Sequence, residues 1–148
     1  MIRVYFDGAC HNKEARSNPM GMGVVAYHEP HGTELVARYY HAGRLGTSNM
    51  AEWLALREAL KTCIELADKY PTEEFIIHGD SQLIVYQATG SYAVKQAEFL
   101  PYKEECDKLR AKLGERLTAI TWIRREFNRR ADQLSKQGLI KAQEDAEL

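Results

Sequence analysis

The first ten residues, MIRVYFDGAC (1–10), form an apolar run that stops on a charged residue. The residues before that charge are mostly apolar or aromatic: Met1, Ile2, Val4, Tyr5 and Phe6. This pattern predicts a β-strand over Ile2–Asp7, with the Asp-Gly pair typical of a turn. Asp7 is therefore either an ordinary turn residue or a carboxylate at the end of a buried strand.

Apolar periodicity and turn residues predict four more strands and four helices. The strands are Gly21–His28, Glu34–Ala42, Phe75–His78 and Leu117–Ile123; the helices are Asn49–Lys69, Ser81–Ala88, Gln96–Leu113 and Asn128–Ala142; and a polar loop spans Asn12–Pro19. Short connections favour an antiparallel meander for the first three strands, and a helical crossover makes the first and fourth strands parallel. The prediction is an α/β fold with a five-stranded mixed sheet flanked by helices.

Composition bounds the class of protein. The chain has 148 residues, of which 45% are hydrophobic and 28% charged, with a net charge of −1. We expect one domain over residues 1–142 and a disordered acidic tail over 143–148. The three cysteines are far apart and indicate neither a disulfide framework nor a zinc site. Without a run of roughly 18 apolar residues or a signal-peptide layout, we expect a cytoplasmic protein with no membrane partner. We also expect a monomer.

Four acidic residues stand at predicted element boundaries: Asp7, Glu52, Asp80 and Asp132. If the first and fourth strands are parallel neighbours, Asp7 and Asp80 end side by side at the carboxyl edge of the sheet. Glu52 borders the buried stripe of the long helix, close to the same edge. Each acid also has a simpler interpretation as a turn residue, a helix cap or a partner of the helix dipole, including a capping box between Asn49 and Glu52.

The chemistry of such a group is restricted. Carboxylates that converge beside an apolar sheet repel one another unless some are protonated or a cation neutralises them. Oxygen ligands select hard cations such as Mg²⁺ or Mn²⁺. Two such ions about 4 Å apart suit phosphodiester hydrolysis, because one activates water and the other stabilises the leaving oxygen.

Four segments in this order carry a resemblance to a known family: FDGAC (6–10), TSNMAEWLALREAL (47–60), HGDSQLIV (78–85) and REFNRRADQLSKQ (125–137). Together they resemble type 1 ribonuclease H over about residues 2–142. The chain is similar to the shorter members, which lack a basic handle for substrate. It also has no histidine between Ile123 and Asp132, where some bacterial members carry one.

The resemblance implies a function and a set of residues. The reaction would be hydrolysis of the RNA strand of an RNA–DNA hybrid, leaving 5′-phosphate and 3′-hydroxyl ends, with double-stranded RNA a possible further substrate. Asp7, Glu52, Asp80 and Asp132 would hold two Mg²⁺ ions, which Mn²⁺ could replace. The implied substrate contacts are Gly8, Ala9, Cys10, Thr47, Ser48, Asn49 and Gln82; Arg129 and Arg130 are the expected phosphate contacts in place of the handle.

Three other functions stay open at this point. A nucleic-acid-binding member of the fold with weak or no cleavage fits the missing histidine and handle. A different enzyme on the same fold, such as an exonuclease or a strand transferase, is disfavoured because Glu52 lies on a helix before Asp80. A structural domain whose acids are all caps would bind no cation.

Overall fold

The computed structural model describes residues 1–11 and 18–146, and most of the predicted Asn12–Pro19 loop lies outside them. Within these residues the strands are Ile2–Cys10 (β1), Met20–His28 (β2), Thr33–His41 (β3), Phe75–Gly79 (β4) and Leu117–Trp122 (β5). The helices are Ser48–Lys69 (α1), Gln82–Thr89 (α2), Leu100–Leu113 (α3) and Arg129–Ala146 (α4). Short 3₁₀ turns precede α3, β5 and α4.

The sheet order is β3-β2-β1-β4-β5. The first three strands are antiparallel, and β4 and β5 run parallel to β1, which confirms the predicted fold class. Phe6 of β1 pairs with Gly79 of β4. The acids that follow these two residues, Asp7 and Asp80, therefore lie at the same level of the sheet.

Strand β1 is longer than predicted and changes the interpretation of Asp7. It continues to Cys10 because Gly8, Ala9 and Cys10 pair with the start of β2. Asp7 thus lies inside the strand, opposite Gly23, and is not a turn residue.

Helix α1 packs directly on β1 at Gly8. A Cβ atom built on Gly8 would lie 2.5 Å from the backbone nitrogen of Glu52, so a larger residue would push the helix away. The missing side chain lets α1 approach the strand and places Glu52 beside Asp7.

Helix α4 packs just as closely on the opposite face of the sheet. A Cβ atom on Gly21 would lie 2.6 Å from the backbone of Gly138, and one on Gly23 would lie 2.5 Å from the backbone nitrogen of Ser135. On the helix side, a Cβ atom on Gly138 would overlap the carbonyl oxygen of Tyr40 in β3. The segment MGMG (20–23) is therefore the surface on which α4 lies.

The ends of two helices differ from the prediction. Helix α3 begins at Leu100, after a 3₁₀ turn over Ala97–Phe99. Helix α4 extends to Ala146, so residues 143–146 of the predicted tail are helical; Asp145 there lies 3.3 Å from His41 and 3.7 Å from Lys141. Among the described residues, no helix combines the length and apolar character needed to cross a membrane.

Candidate active site

Three carboxylates meet at the carboxyl edge of the sheet. Asp7 comes from β1, Glu52 from α1 and Asp80 from the residue after β4, and each offers an oxygen within 4.8 Å of the others. We refer to these three residues as the acidic triad. Asp7 and Glu52 are only 4% and 9% exposed, so two of the three charges are almost removed from solvent.

Asp132 borders the triad without joining its tightest group. It lies in the first turn of α4, with Lys136 Nζ 3.1 Å and Arg125 Nη2 3.8 Å from its carboxylate oxygens. All four acids line one cavity of about 390 Å³. The structure therefore brings together all four acids of the sequence analysis, three closely and one at the side.

Burial and mutual repulsion perturb the acids of the triad. Burial, reinforced by the charge of Asp80, raises the pKa of Asp7 to about 8. Burial also raises the pKa of Glu52 well above its ordinary value, with Asp7 adding to the effect, and burial raises the pKa of Asp80. Burial and repulsion therefore disfavour the ionised forms of these groups, and a bound cation would favour ionisation.

Asp132 behaves differently from the triad. Its partial burial acts to raise its pKa, but a hydrogen bond with Asp7 and the ammonium group of Lys136 outweigh that effect, and the pKa is lowered. Asp132 is therefore the acid that stays ionised most readily beside the three that resist ionisation.

The helix-cap interpretations of Glu52 and Asp80 are not supported. The N-cap of α1 is Thr47, whose Oγ1 accepts a hydrogen bond from the Met50 backbone N–H at 3.2 Å. The N-cap of α2 is Ser81, whose Oγ accepts from the Ile84 N–H at 3.4 Å. The dipole interpretation of Asp132 remains compatible with its place in the first turn of α4.

The triad fits a hard divalent cation. Its donors are all carboxylate oxygens, the ligands that Mg²⁺ and Mn²⁺ prefer. Glu52 Oε2 is buried and has no hydrogen-bond partner, an arrangement that is costly unless a ligand completes it. The same carboxylates would repel one another without a cation.

Two residues of the site were not anticipated from the sequence. Asn128 Nδ2 donates hydrogen bonds to the Phe6 carbonyl oxygen at 2.8 Å and to Asp80 Oδ2 at 3.0 Å. Ser135 Oγ lies 3.3 Å from Asp7 Oδ2 and donates to the Asp132 carbonyl oxygen at 2.7 Å. Asn128 precedes α4 by one residue and Ser135 lies on it, four residues before and three residues after Asp132. This helical spacing does not by itself indicate contact with residues 6, 7 and 80.

The expected substrate residues divide into two groups. Those that line the cavity with the acids are Gly8, Ala9, Cys10, Ser48 and Asn49. Those that do not line it are Thr47, Gln82, Arg129 and Arg130.

The basic side chains at the cavity also differ from those expected. Arg130 Nε lies 3.3 Å from Glu34 Oε1, and the side chain lines a separate cleft with Tyr5 and Tyr27. Arg125 and Lys136 are the basic residues that line the cavity of the acids. Arg125 is therefore the arginine of the 124–130 cluster that reaches the site.

The fold has close counterparts among solved structures. The structure of LC11-RNase H1, isolated from compost by a metagenomic approach, aligns with a TM-score of 0.83 and 32% identity, covering 95% of this chain and 96% of that one. A reverse transcriptase-like family model matches residues 5–138. This chain belongs to the type 1 ribonuclease H family. LC11-RNase H1 has also been solved with an RNA/DNA hybrid, and that structure aligns with a TM-score of 0.83 and 31% identity over 96% of this chain and 99% of that one.

Two bacterial relatives extend the comparison. Putative hydrolase EbsB of Enterococcus faecalis is 31% identical over 95% of this chain and 96% of its own length. The uncharacterized protein YpeP of Bacillus subtilis is 35% identical over 92% of this chain, which spans only 58% of that protein. Family membership and the acidic cavity together support a ribonuclease H-like nuclease.

Residues 91–114, which include α3, are the region in which a basic handle for substrate would lie. They hold five basic and four acidic residues, so the net charge of the segment is only +1, which fits a short member of the ribonuclease H family.

Proposed function

We propose that this chain is an endoribonuclease that hydrolyses the RNA strand of RNA–DNA hybrids, leaving 5′-phosphate and 3′-hydroxyl ends. The observation that carries the proposal is the acidic triad, with its oxygens within 4.8 Å of one another, in a chain of the type 1 ribonuclease H family. A relative solved with an RNA/DNA hybrid supports the choice of substrate.

The proposed cofactor is Mg²⁺ as two ions, with Mn²⁺ as a substitute. When bound, the ions supply an activated water and a counter-charge for the leaving oxygen. Asp7 is the central ligand because it interacts with both Glu52 and Asp80. Glu52 offers its unpartnered Oε2, and Asp132 completes the ligand set from the side of α4.

The substrate would enter along the open side of the cavity. The residues Gly8, Ala9, Cys10, Ser48 and Asn49 line the cavity together with the acids. We assign to them the RNA minor groove, where the 2′-hydroxyl distinguishes RNA from DNA. Gly8 has a second role, because its missing side chain allows α1 to pack on β1 beside the cavity.

Nucleic-acid binding without cleavage is the alternative that one observation favours. Asp132 is paired with Lys136 and Arg125 and stands outside the tightest group of acids, so its availability as a ligand decides between binding and cleavage. For cleavage, Asp132 would have to serve as a cation ligand beside these two basic side chains.

The test uses three labelled substrates: an RNA–DNA hybrid, double-stranded RNA and duplex DNA. Each is incubated with Mg²⁺, Mn²⁺ or EDTA. The wild type is compared with Asp7→Asn and with Asp107→Asn, an exposed acid on α3 paired with Lys103. We expect cation-dependent cutting of the hybrid's RNA strand that Asp7→Asn loses and Asp107→Asn keeps. Binding without cutting in either cation would support the alternative, and equal cutting by both variants would refute the assigned site.

A further inference from the structure

Asn128 joins the two strands that carry the strand acids of the triad. It lies between the 3₁₀ turn Arg125–Phe127 and α4, and it is 1% exposed. Its backbone is fixed on both sides: its N–H donates to the Arg125 carbonyl and its own carbonyl accepts from the Asp132 N–H, both at 3.0 Å. The side chain therefore starts from a rigid position.

The side-chain amide has a defined orientation. Nδ2 carries two protons, and its two neighbours, the Phe6 carbonyl at 2.8 Å and Asp80 Oδ2 at 3.0 Å, can both accept. The reverse orientation would set the amide oxygen against two acceptors. One bond thus goes to the residue before Asp7 and the other to Asp80 itself.

The stabilising effect of this amide is limited. Asn128 Oδ1 is buried without a hydrogen-bond partner, which offsets part of what the two donated bonds contribute. The arrangement has a clearer consequence for geometry, because a single rigid group holds β1 and the carboxylate after β4 at a fixed separation.

The geometry points to Asn128 as a positioning residue of the cation site: its amide holds Asp80 against β1 and so sets the distance between Asp80 and Asp7. The neutral amide donates to Asp80 Oδ2 without adding a charge to the site. Residues that orient carboxylate ligands in this way typically change metal affinity or activity 10- to 100-fold when removed. The inference rests on the proposed function, since it requires that the triad binds cations.

The chain offers a matched control in Gln87. This residue is also a buried amide, 2% exposed, whose Nε2 donates to the Ala93 carbonyl and to Gln96 Oε1 and whose Oε1 is buried without a partner. It lies on α2 and does not line the cavity of the acids. Gln87→Ala therefore reproduces the loss of a buried amide without touching the triad.

The experiment measures Mn²⁺ and Mg²⁺ affinity by calorimetry, and thermal unfolding in EDTA, for the wild type, Asn128→Ala, Asn128→Ser and Gln87→Ala. We expect both Asn128 variants to lose about 10- to 100-fold in cation affinity. Gln87→Ala should bind as the wild type does, even where its melting temperature falls as far. Hybrid cleavage by Asn128→Ala should fall in kcat and recover partly at high Mn²⁺.

Each contrary outcome has a distinct meaning. If the wild type binds cations and both Asn128 variants bind them with the same affinity, the positioning role of Asn128 is overturned while the proposed function stands. Failure of both Asn128 variants to fold, with Gln87→Ala folded, would assign Asn128 to fold stability and overturn the inference as well. Absence of cation binding by the wild type would overturn the proposed function together with the inference.

Discussion

Replacing Gly23 by alanine should push helix α4 away from the sheet. The added Cβ atom would lie 2.5 Å from Ser135 N and 2.7 Å from Leu134 Cβ, whereas ordinary contacts begin near 3.4 Å. The helix must therefore retreat by about 1 Å at this point. Overpacking of this kind costs about 1–3 kcal/mol, or roughly 3–10 °C in melting temperature for a chain of this size.

The displacement of α4 should also lower the rate of hybrid cleavage. Gly23 lies opposite Asp7 in the sheet, and the helix that must move carries Asp132 and Ser135. A shift of about 1 Å in such a site can cost about 100-fold in rate. We expect Gly23→Ala to show both a lower melting temperature and a strongly reduced rate of hybrid cleavage.

Gly43→Ala is the matched control for this substitution. Gly43→Ala adds a Cβ atom that meets nothing within 4 Å and should leave unfolding and cleavage unchanged. Calorimetry and a single-turnover cleavage assay measure the two effects. If Gly23→Ala melts within a degree of the wild type and cleaves at the same rate, α4 does not lie on β2 as described.

Two further expectations concern charge. Because the pKa of Asp7 is raised to about 8, far above the roughly 3.9 of an unfolded chain, the cation-free protein should lose stability as the pH rises from about 4 to 8. Asp7→Asn should reduce this loss by on the order of 5 kcal/mol in urea titrations with EDTA, and an unchanged pH slope would contradict the assignment. Arg125→Ala should weaken hybrid binding and lower its salt slope by roughly one, whereas Arg130→Ala, whose partner is Glu34, should bind nearly as the wild type does. The opposite ranking in salt-dependent binding assays would show that Arg130 contacts the substrate.

The fold and the grouping of the acids could be predicted from the sequence because both depend on where the strands and helices begin and end. Strands and helices with clear apolar patterns placed Asp7 and Asp80 at the same edge, and the sheet order then followed from short connections and a parallel crossover. The position of Glu52 beside the buried stripe of α1 located the third acid. These are local patterns whose combination admits few topologies.

What the sequence did not reveal depends on the register between distant elements. The extension of β1 to Cys10 follows from its pairing with β2, and the roles of Gly8 and Gly23 follow from the helices that lie on them. Asn128 resembled an ordinary residue at a helix start, because its two acceptors come from residues 6 and 80. No local pattern reports a hydrogen bond across 122 positions of the chain.

The hydrogen bond from Asn128 to Phe6 also bears on when, during synthesis of the chain, the acids of the triad are held in place. The triad acids leave the ribosome well before α4, so a growing chain carries all three with neither Asn128 nor Ser135 to fix them. Until α4 has emerged, the face of β2 that bears Gly21 and Gly23 is open, and the three carboxylates have no common anchor. Under the proposed function, cleavage would therefore have to wait until α4 docks on β2 and brings Asn128 and Ser135 to the triad.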